Sequence, residues 1–274
     1  MTSFDTDRGC ELLVDYTERI RPVMNIQGSY TKNQSSIAVD NTTDNIYIAD
    51  IYVYQVRVFD KDGEFLFKFS DRNGLYKMNY PNRIAISKEF VLVNQYTSRY
   101  EWILAFDLNG NFITRIGKPK EDARTYGIAI NDIYGDIYVC DLFNDRVQIY
   151  LDEYPFLSEI KISNPYGILC DKDNIFITST QKPSLHVFKY DLTPVQDDYY
   201  DLFSELFIKL NDFVIDRAGN IIATNLESNC ISILNRRGHI IHKITEDISI
   251  PIALALDSKG RIIVVDFRKH ILIF

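Results

Sequence analysis

The feature that leaves this chain the fewest folds is an internal repeat. A short apolar segment ending in an Asx or Ser residue recurs as Ile37-Ala-Val-Asp40, Ile84-Ala-Ile-Ser87, Ile128-Ala-Ile-Asn131, Ile168-Leu-Cys-Asp171, Phe213-Val-Ile-Asp216 and Leu254-Ala-Leu-Asp257. The last residues of these segments, 40, 87, 131, 171, 216 and 257, stand 47, 44, 40, 45 and 41 apart. Each segment is followed by a turn and a second apolar stretch: Ile46 to Asp50, Val91 to Gln95, Ile137 to Asp141, Ile175 to Ser179, Ile221 to Asn225 and Ile262 to Asp266. A third stretch follows (Val56 to Phe59, Ile103 to Phe106, Val147 to Tyr150, Leu185 to Phe188, Ile231 to Leu234, Ile271 to Phe274). A fourth is visible at Phe65 to Phe69, Phe112 to Ile116, Phe156 to Ile160, roughly 202 to 210, and Ile240 to Ile244.

The turns fit strands rather than helices. Asp60-Lys-Asp-Gly63, Asp107-Leu-Asn-Gly110 and Asn235-Arg-Arg-Gly238 join third to fourth strands, and Asp216-Arg-Ala-Gly219 and Asp257-Ser-Lys-Gly260 join first to second. Asx opens such turns by accepting from its own backbone, and Gly supplies the positive φ. Four short antiparallel strands per period of this length read as propeller blades, apolar on both faces because each blade is sandwiched between two others. The expected fold is therefore all-β, a six-bladed β-propeller with four antiparallel strands per blade.

The sixth unit ends at Phe274 after its third strand. Val23-Met-Asn-Ile-Gln-Gly28 has the pattern of a fourth-strand ending, as in Ile113-Thr-Arg-Ile-Gly117, and precedes the first unit. An N-terminal strand is thus expected to complete the last blade and close the ring, which removes an open edge. The expected organisation is a tail over 1–22 and a single propeller domain over 23–274.

The third unit, Tyr126-Gly-Ile-Ala-Ile-Asn131 followed by Asp136-Ile-Tyr-Val-Cys-Asp-Leu-Phe-Asn-Asp-Arg-Val-Gln-Ile-Tyr150, closely resembles an NHL repeat, and the first unit resembles it too. The signature is weak in units two and four, where its Asp and Arg-Val elements are missing. The resemblance implies a six-bladed propeller that serves as a binding platform for protein or RNA. A few relatives are lyases or hydrolases, with His, Glu or Asp around the central channel. What the motif fixes directly is strand packing, so it constrains fold more than function.

The chemistry-bearing residues point away from catalysis. Asp50, Asp141 and Asp266 recur at the end of the second strand, where a structural bond across the blade, with Arg146 as a partner, is the expectation. His186, His239, His242 and His270 lie on or beside third and fourth strands, away from the strand that lines the channel, so they do not converge as metal ligands. Asp60-Lys-Asp-Gly63 lacks the further acidic ligands of a calcium loop and reads as a turn. No catalytic elbow or phosphate loop is present. No cofactor and no metal are expected. The alternative is a channel-mouth enzyme using Asp40, Asn131, Asp171, Asp216 or Asp257, against which stands their turn role.

Net charge is −8, which disfavours general attraction to nucleic acid or an anionic membrane. No uncharged apolar run reaches spanning length. Cys10, Cys140, Cys170 and Cys230 are far apart and read as free thiols of a reducing, intracellular compartment. Eighteen Tyr and seventeen Phe beside 12 Gly and 8 Pro fit an A/T-rich genome, such as a protist, a low-GC bacterium or a giant virus, the last allowing a place in the virion. Acid concentrates on the face of the first-to-second and third-to-fourth turns. The opposite, inter-blade loop face is neutral and holds a basic and aromatic group: Tyr80, Arg83, Tyr96, Arg99, Lys118, Lys120, Arg124 and Tyr126. Arginine with tyrosine suits carboxylates, phosphates or stacked bases. The function expected is a non-enzymatic platform for a protein or peptide on this face. The alternatives are RNA binding there and a small-molecule lyase or hydrolase. Residues 189–206, rich in acid and tyrosine, read as a solvated loop or as a second docking segment.

Overall fold

The computed structural model describes residues 24–26, 34–51, 53–70, 78–95, 103–117, 125–131, 133–151, 155–180, 184–195, 210–268 and 270–274. They form six small antiparallel sheets arranged as the blades of a propeller. Strand β1 (Met24–Ile26) stands apart from the first blade in sequence. Blade one comprises β2 (Gln34–Asp40), β3 (Asn45–Asp50), β4 (Gln55–Phe59) and β5 (Phe65–Phe69). Blade two comprises β6 (Pro81–Ile86), β7 (Phe90–Gln95), β8 (Ile103–Asp107) and β9 (Phe112–Ile116). Blade three holds β10 (Thr125–Ile130), β11 (Ile137–Asp141), β12 (Arg146–Tyr150) and β13 (Phe156–Lys161), with a short 3-10 turn at Leu142–Asn144. Blade four shows β14 (Pro165–Cys170), β15 (Asn174–Ser179) and β16 (Ser184–Lys189). Blade five is β17 (Leu210–Ile215), β18 (Ile221–Asn225), β19 (Cys230–Leu234) and β20 (Ile240–Ile244), and blade six is β21 (Pro251–Leu256), β22 (Ile262–Asp266) and β23 (Ile271–Ile273).

The ring closes as the sequence implies. β1 pairs antiparallel with β23, Met24 opposite Ile273 and Ile26 opposite Ile271, so the first strand of the chain is the outer strand of the last blade. The proposed tail, 1–22, lies outside the described residues, as does Cys10. In blade four, Pro194 bridges back to Phe188 and the Val195 amide donates to the Val187 carbonyl, 2.9 Å, the start of a fourth strand. Its expected course over 202–210 lies outside the described residues except Leu210, which opens β17 instead.

The core is a ring rather than a single centre. Six apolar clusters alternate with the six blades, each built from two neighbours. Ile37, Ile46 and Ile48 of blade one meet Ile263, Val265 and Ile271 of blade six. Tyr47, Val56 and Val58 meet Ile84, Val91 and Leu104. The remaining junctions follow the same plan. Second strands are buried along nearly their whole length, as in β7, β11 and β22, which accounts for the lack of polar alternation in the sequence.

The turns are made as their chemistry demands. Asp60 Oδ1 accepts from the amides of Asp62 and Glu64, and Gly63 takes φ 83°. Asp107, Asp216, Asn235 and Asp257 repeat this arrangement with Gly110, Gly219, Gly238 and Gly260, all at positive φ. Asp40 and Asp171 likewise accept turn amides, from Thr42 and from Asp173 and Asn174. The inner-strand acids thus hold turns. At the other end of the second strand, Asp141 accepts from Arg146 Nε at 3.0 Å, and Arg146 also donates to Glu159 at 2.8 Å. Asp266 accepts from the amides of Ser249 and His270.

Candidate functional site: the channel and the inter-blade face

The inner strands β2, β6, β10, β14, β17 and β21 run parallel around a central cavity of about 1190 Å³. One end is walled by Ser36, Arg83, Gly127, Gly167 and Asp212, and the other by Asn41, Asp171, Arg217 and Lys259. The first end points to the inter-blade loops, the second to the hairpin turns.

Every inner strand slips register by one residue at its inter-blade end. The slips fall between Gln34 and Ser36, Pro81 and Arg83, Thr125 and Ile128, Pro165 and Ile168, Leu210 and Phe213, and Pro251 and Ala253. Such β-bulges bend a strand and re-aim a side chain. In blades four and five a hydroxyl of the second strand satisfies the displaced amide: Gly167 N donates to Thr178 Oγ1 at 2.8 Å, and Asp212 N to Thr224 Oγ1 at 2.9 Å. Three of the bulges begin with proline, whose missing N–H suits a strand with one unpaired edge. The residue before each of these prolines is left-handed: Tyr80 (φ 44°), Asn164 (φ 48°) and Ile250 (φ 50°).

The bulges bring together a polar plug across the inter-blade end of the channel. Arg83 Nη2 donates to the Asn211 carbonyl at 3.1 Å, from blade two to blade five. Its guanidinium lies 5.8 Å from the Tyr166 ring centre, within cation–π range. Tyr166 donates to Asn211 Oδ1 at 3.2 Å and packs on Tyr126 with ring centres 4.8 Å apart. Asn211 Nδ2 donates to the Ile252 carbonyl. Asp212 accepts from the amides of Leu254, 3.1 Å, and Phe213, 3.2 Å. Enclosure by the channel wall pushes its carboxyl above the usual carboxylate range, against the opposing pull of Arg83. Burial also raises the Tyr166 hydroxyl.

These placements revise one expectation from the sequence. The sequence groups Arg83 with the exposed inter-blade loop residues; it lies instead on β6 and is 8% exposed, because the bulge after Pro81 turns it into the channel, where it ties two blades. Tyr80 is on the inter-blade loop and exposed, edge-on to Tyr54 with ring centres 5.0 Å apart. Tyr126 is half-buried in the plug. Tyr96, Arg99, Lys118, Lys120 and Arg124 lie outside the described residues. Sequence reasoning missed Tyr166, Asn211 and Asp212.

As chemistry, the plug is a set of donors and acceptors that satisfy one another. Among the described residues no three His, Cys, Asp or Glu side chains gather as a metal site. The titration of Asp212 gives a test. A carboxyl whose folded value is raised contributes stability that is present below its unfolded value and lost as pH rises through the folded one. Asp212→Asn should therefore raise the melting temperature near neutral pH and leave it unchanged near pH 3, where the native acid is already neutral. Equal shifts at both pH values in a thermal scan would refute the buried-acid reading.

Besides the plug, the inter-blade face carries exposed apolar side chains. Val53 of the β3–β4 loop, Tyr80, Phe143 of the β11–β12 turn, Ile250 and Phe267 of the β22–β23 loop all project there, Phe143 at 54% and Phe267 at 61% exposure. Other exposed apolar residues lie on outer strands, such as Phe65, Leu66, Phe156 and Ile240, where the same position recurs blade after blade. On the hairpin face, Tyr134 packs edge-on to Tyr190.

No protein-family description matches the chain, and no curated protein matches it either. Solved structures do. A streptogramin B lyase shares 15% identity over 92% of this chain and 86% of its own, with a TM-score of 0.64. A catalytically inactive virginiamycin B lyase from Staphylococcus aureus, with quinupristin, shares 14% over 92% and 87%, with a TM-score of 0.60. The WD40 repeats of RRP9 share 8% over 92% and 96%, with a TM-score of 0.71. At these identities the likeness is one of fold: this chain, with six blades, has the β-propeller architecture also found in lyase and WD40 structures.

Proposed function

We propose that the chain is a non-enzymatic binding platform whose inter-blade loop face docks a protein or peptide. The observation that carries the reading is the set of exposed apolar side chains around the plugged channel: Val53, Tyr80, Phe143, Ile250 and Phe267. Two of them, Tyr80 and Ile250, occupy left-handed backbone, where a side chain costs about 1–2 kcal/mol relative to glycine. Most hairpin turns meet the same backbone need with glycine, Asp44 and Leu192 being the exceptions. Large apolar groups kept in strained, water-exposed loops are the anchors a protein interface uses, and a polar rim around them supplies specificity. Of the group named from the sequence, Tyr96 and Arg99 fall between β7 and β8, and Lys118, Lys120 and Arg124 between β9 and β10; they are proposed as that rim. Arg83 supports the face from beneath. WD40 propellers stand among the structural neighbours beside the lyases.

The test is site-specific photo-crosslinking in an extract of the source cell. Cross-linkers at Phe143 and Phe267 should capture one protein partner, while those at Ile133 and Leu151, on the hairpin face, should not. Phe143→Asp and Phe267→Asp should each weaken the captured complex at least tenfold and shift the melting temperature by less than about 2 °C, since both side chains are exposed. Capture of RNA would move the function to nucleic-acid binding, and capture from the hairpin face alone would reject the platform as placed here.

A further inference from the structure

The hairpin-turn face is not uniformly acidic. In blade one its turns carry Asp40, Asp44, Asp60, Asp62 and Glu64 against Lys61. In blades five and six, three turns in succession carry Arg217, then Arg236 and Arg237, then Lys259 and Arg261, against Asp216 and Asp257. Four of these five cations, Arg217, Arg236, Arg237 and Lys259, are exposed.

What holds them in place is backbone. Arg217 Nη2 donates to the Ser258 carbonyl of the adjoining blade at 2.6 Å, and Arg236 Nε donates to the Ala218 carbonyl at 3.0 Å. Gly219, at φ 79°, lies so close under Arg236 that a Cβ there would stand 2.1 Å from Nε. Both guanidinium groups are thus positioned by carbonyls, and among the described residues neither forms an ion pair with a carboxylate. The two acids of the patch are engaged elsewhere. Asp216 accepts from the amide and side chain of Asn220, and Asp257 pairs with Arg261 while accepting turn amides. At the junction with blade one, Asp44 is taken by the amide and hydroxyl of Ser258, and Asp62, within electrostatic reach of Lys259, by Lys61. Arg217 and Lys259 also line the channel cavity at its hairpin end, and the other end of that cavity is crossed by Arg83.

We propose that this sector is an anion site for a small molecule bearing a phosphate or carboxylate group, held by Arg217 and Lys259 at the hairpin mouth of the channel with Arg236 behind. A pre-positioned guanidinium fork matches the paired oxygens of either group, and the cavity gives the rest of the molecule room to enter. The site is on the face opposite to the docking platform and stands independently of it.

Titration calorimetry with inorganic pyrophosphate and with citrate, on the whole chain at low salt, tests the assignment and separates the two oxyanion sources. Saturable binding of at least one probe below about 1 mM is expected, with affinity falling as salt rises. Arg217→Gln with Lys259→Gln should weaken that binding tenfold or more, while Arg268→Gln, an exposed cation on the inter-blade face, should leave it unchanged. Circular dichroism melts of each variant verify that the fold persists. No saturation by either probe up to 10 mM, or binding equal in wild type and the double variant, would overturn the assignment.

Discussion

Deleting residues 1–28 should lower the melting temperature by about 10 °C or more and drive the chain toward aggregation, whereas deleting only residues 1–20 should leave it within about 2 °C of the full chain. β1 supplies the outer partner of β23 in blade six through the pairs Met24–Ile273, Asn25–Leu272 and Ile26–Ile271. With β1 present, Ile271, Leu272 and Ile273 are at most 1% exposed. Fully burying such side chains stabilises by about 1.5–3 kcal/mol each. Losing even half of that over three residues is about 2–4 kcal/mol, and a chain of this size responds by about 2–4 °C per kcal/mol. Two further effects add to it. The bared backbone of β23 becomes an open edge, the usual template for association. Blade six also loses its tie to the far end of the chain, so its junction with blade one, where Ile271 and Ile273 pack beside Ile37 and Ile46, is held only by side chains. Scanning calorimetry with light scattering of the two truncated chains checks both parts, and equal melting of the two would refute closure as a source of stability.

The fold was legible because its strongest signals are local. Asp216 to Gly219 and Asp257 to Gly260 close their turns with bonds inside four or five residues, so residue type alone sets them. The second strands announce themselves by unbroken apolar runs because a neighbouring blade covers each face. The functional cluster was not legible, for a different reason. Arg83 and Asn211 are 128 residues apart, and what aims them at one another is the register slip at the start of each inner strand. A slip is decided by pairing with the second strand, so no propensity encodes it. One trace was available: Pro81, Pro165 and Pro251 each stand six residues before the end of their repeat, at 87, 171 and 257. Proline at the head of an inner strand marks the bulge, and the polar or aromatic residues just after it build the plug. Without that reading, Arg83 counts as a loop arginine, and the exposed set Val53, Phe143 and Phe267 is scattered through unrelated turns.

Asp141→Ala should cost about 3–5 kcal/mol, the largest loss expected from a single substitution outside the apolar junctions. Asp141 is fully enclosed at the end of β11, and its carboxylate accepts from Arg146 Nε at 3.0 Å, from Gln148 Nε2 at 3.1 Å, and from Asn144 Nδ2, which donates to Oδ1 at 2.8 Å and to Oδ2 at 2.9 Å. Removing it leaves Arg146, charged and 9% exposed, without its enclosed carboxylate, while Gln148 is half-buried and Asn144 turns to water. Glu159 remains with Arg146 at 2.8 Å, but it sits at the surface and is shared with Lys161, so solvent and salt weaken what it returns. Arg146→Met should be as harmful, since it leaves the enclosed Asp141 without its cation. Replacing both at once, Asp141→Ala with Arg146→Met, should recover much of the loss, because the cost of either single change lies in the buried partner left uncompensated. A double-mutant cycle from urea melts should therefore show a coupling of about 2 kcal/mol or more, against no measurable coupling for the solvent-exposed pair Lys61 and Asp62. Additive losses at Asp141 and Arg146 would mean that the recurrent acid at the end of the second strand serves the turn alone, and that the blade does not depend on the ion pair its sequence motif encodes.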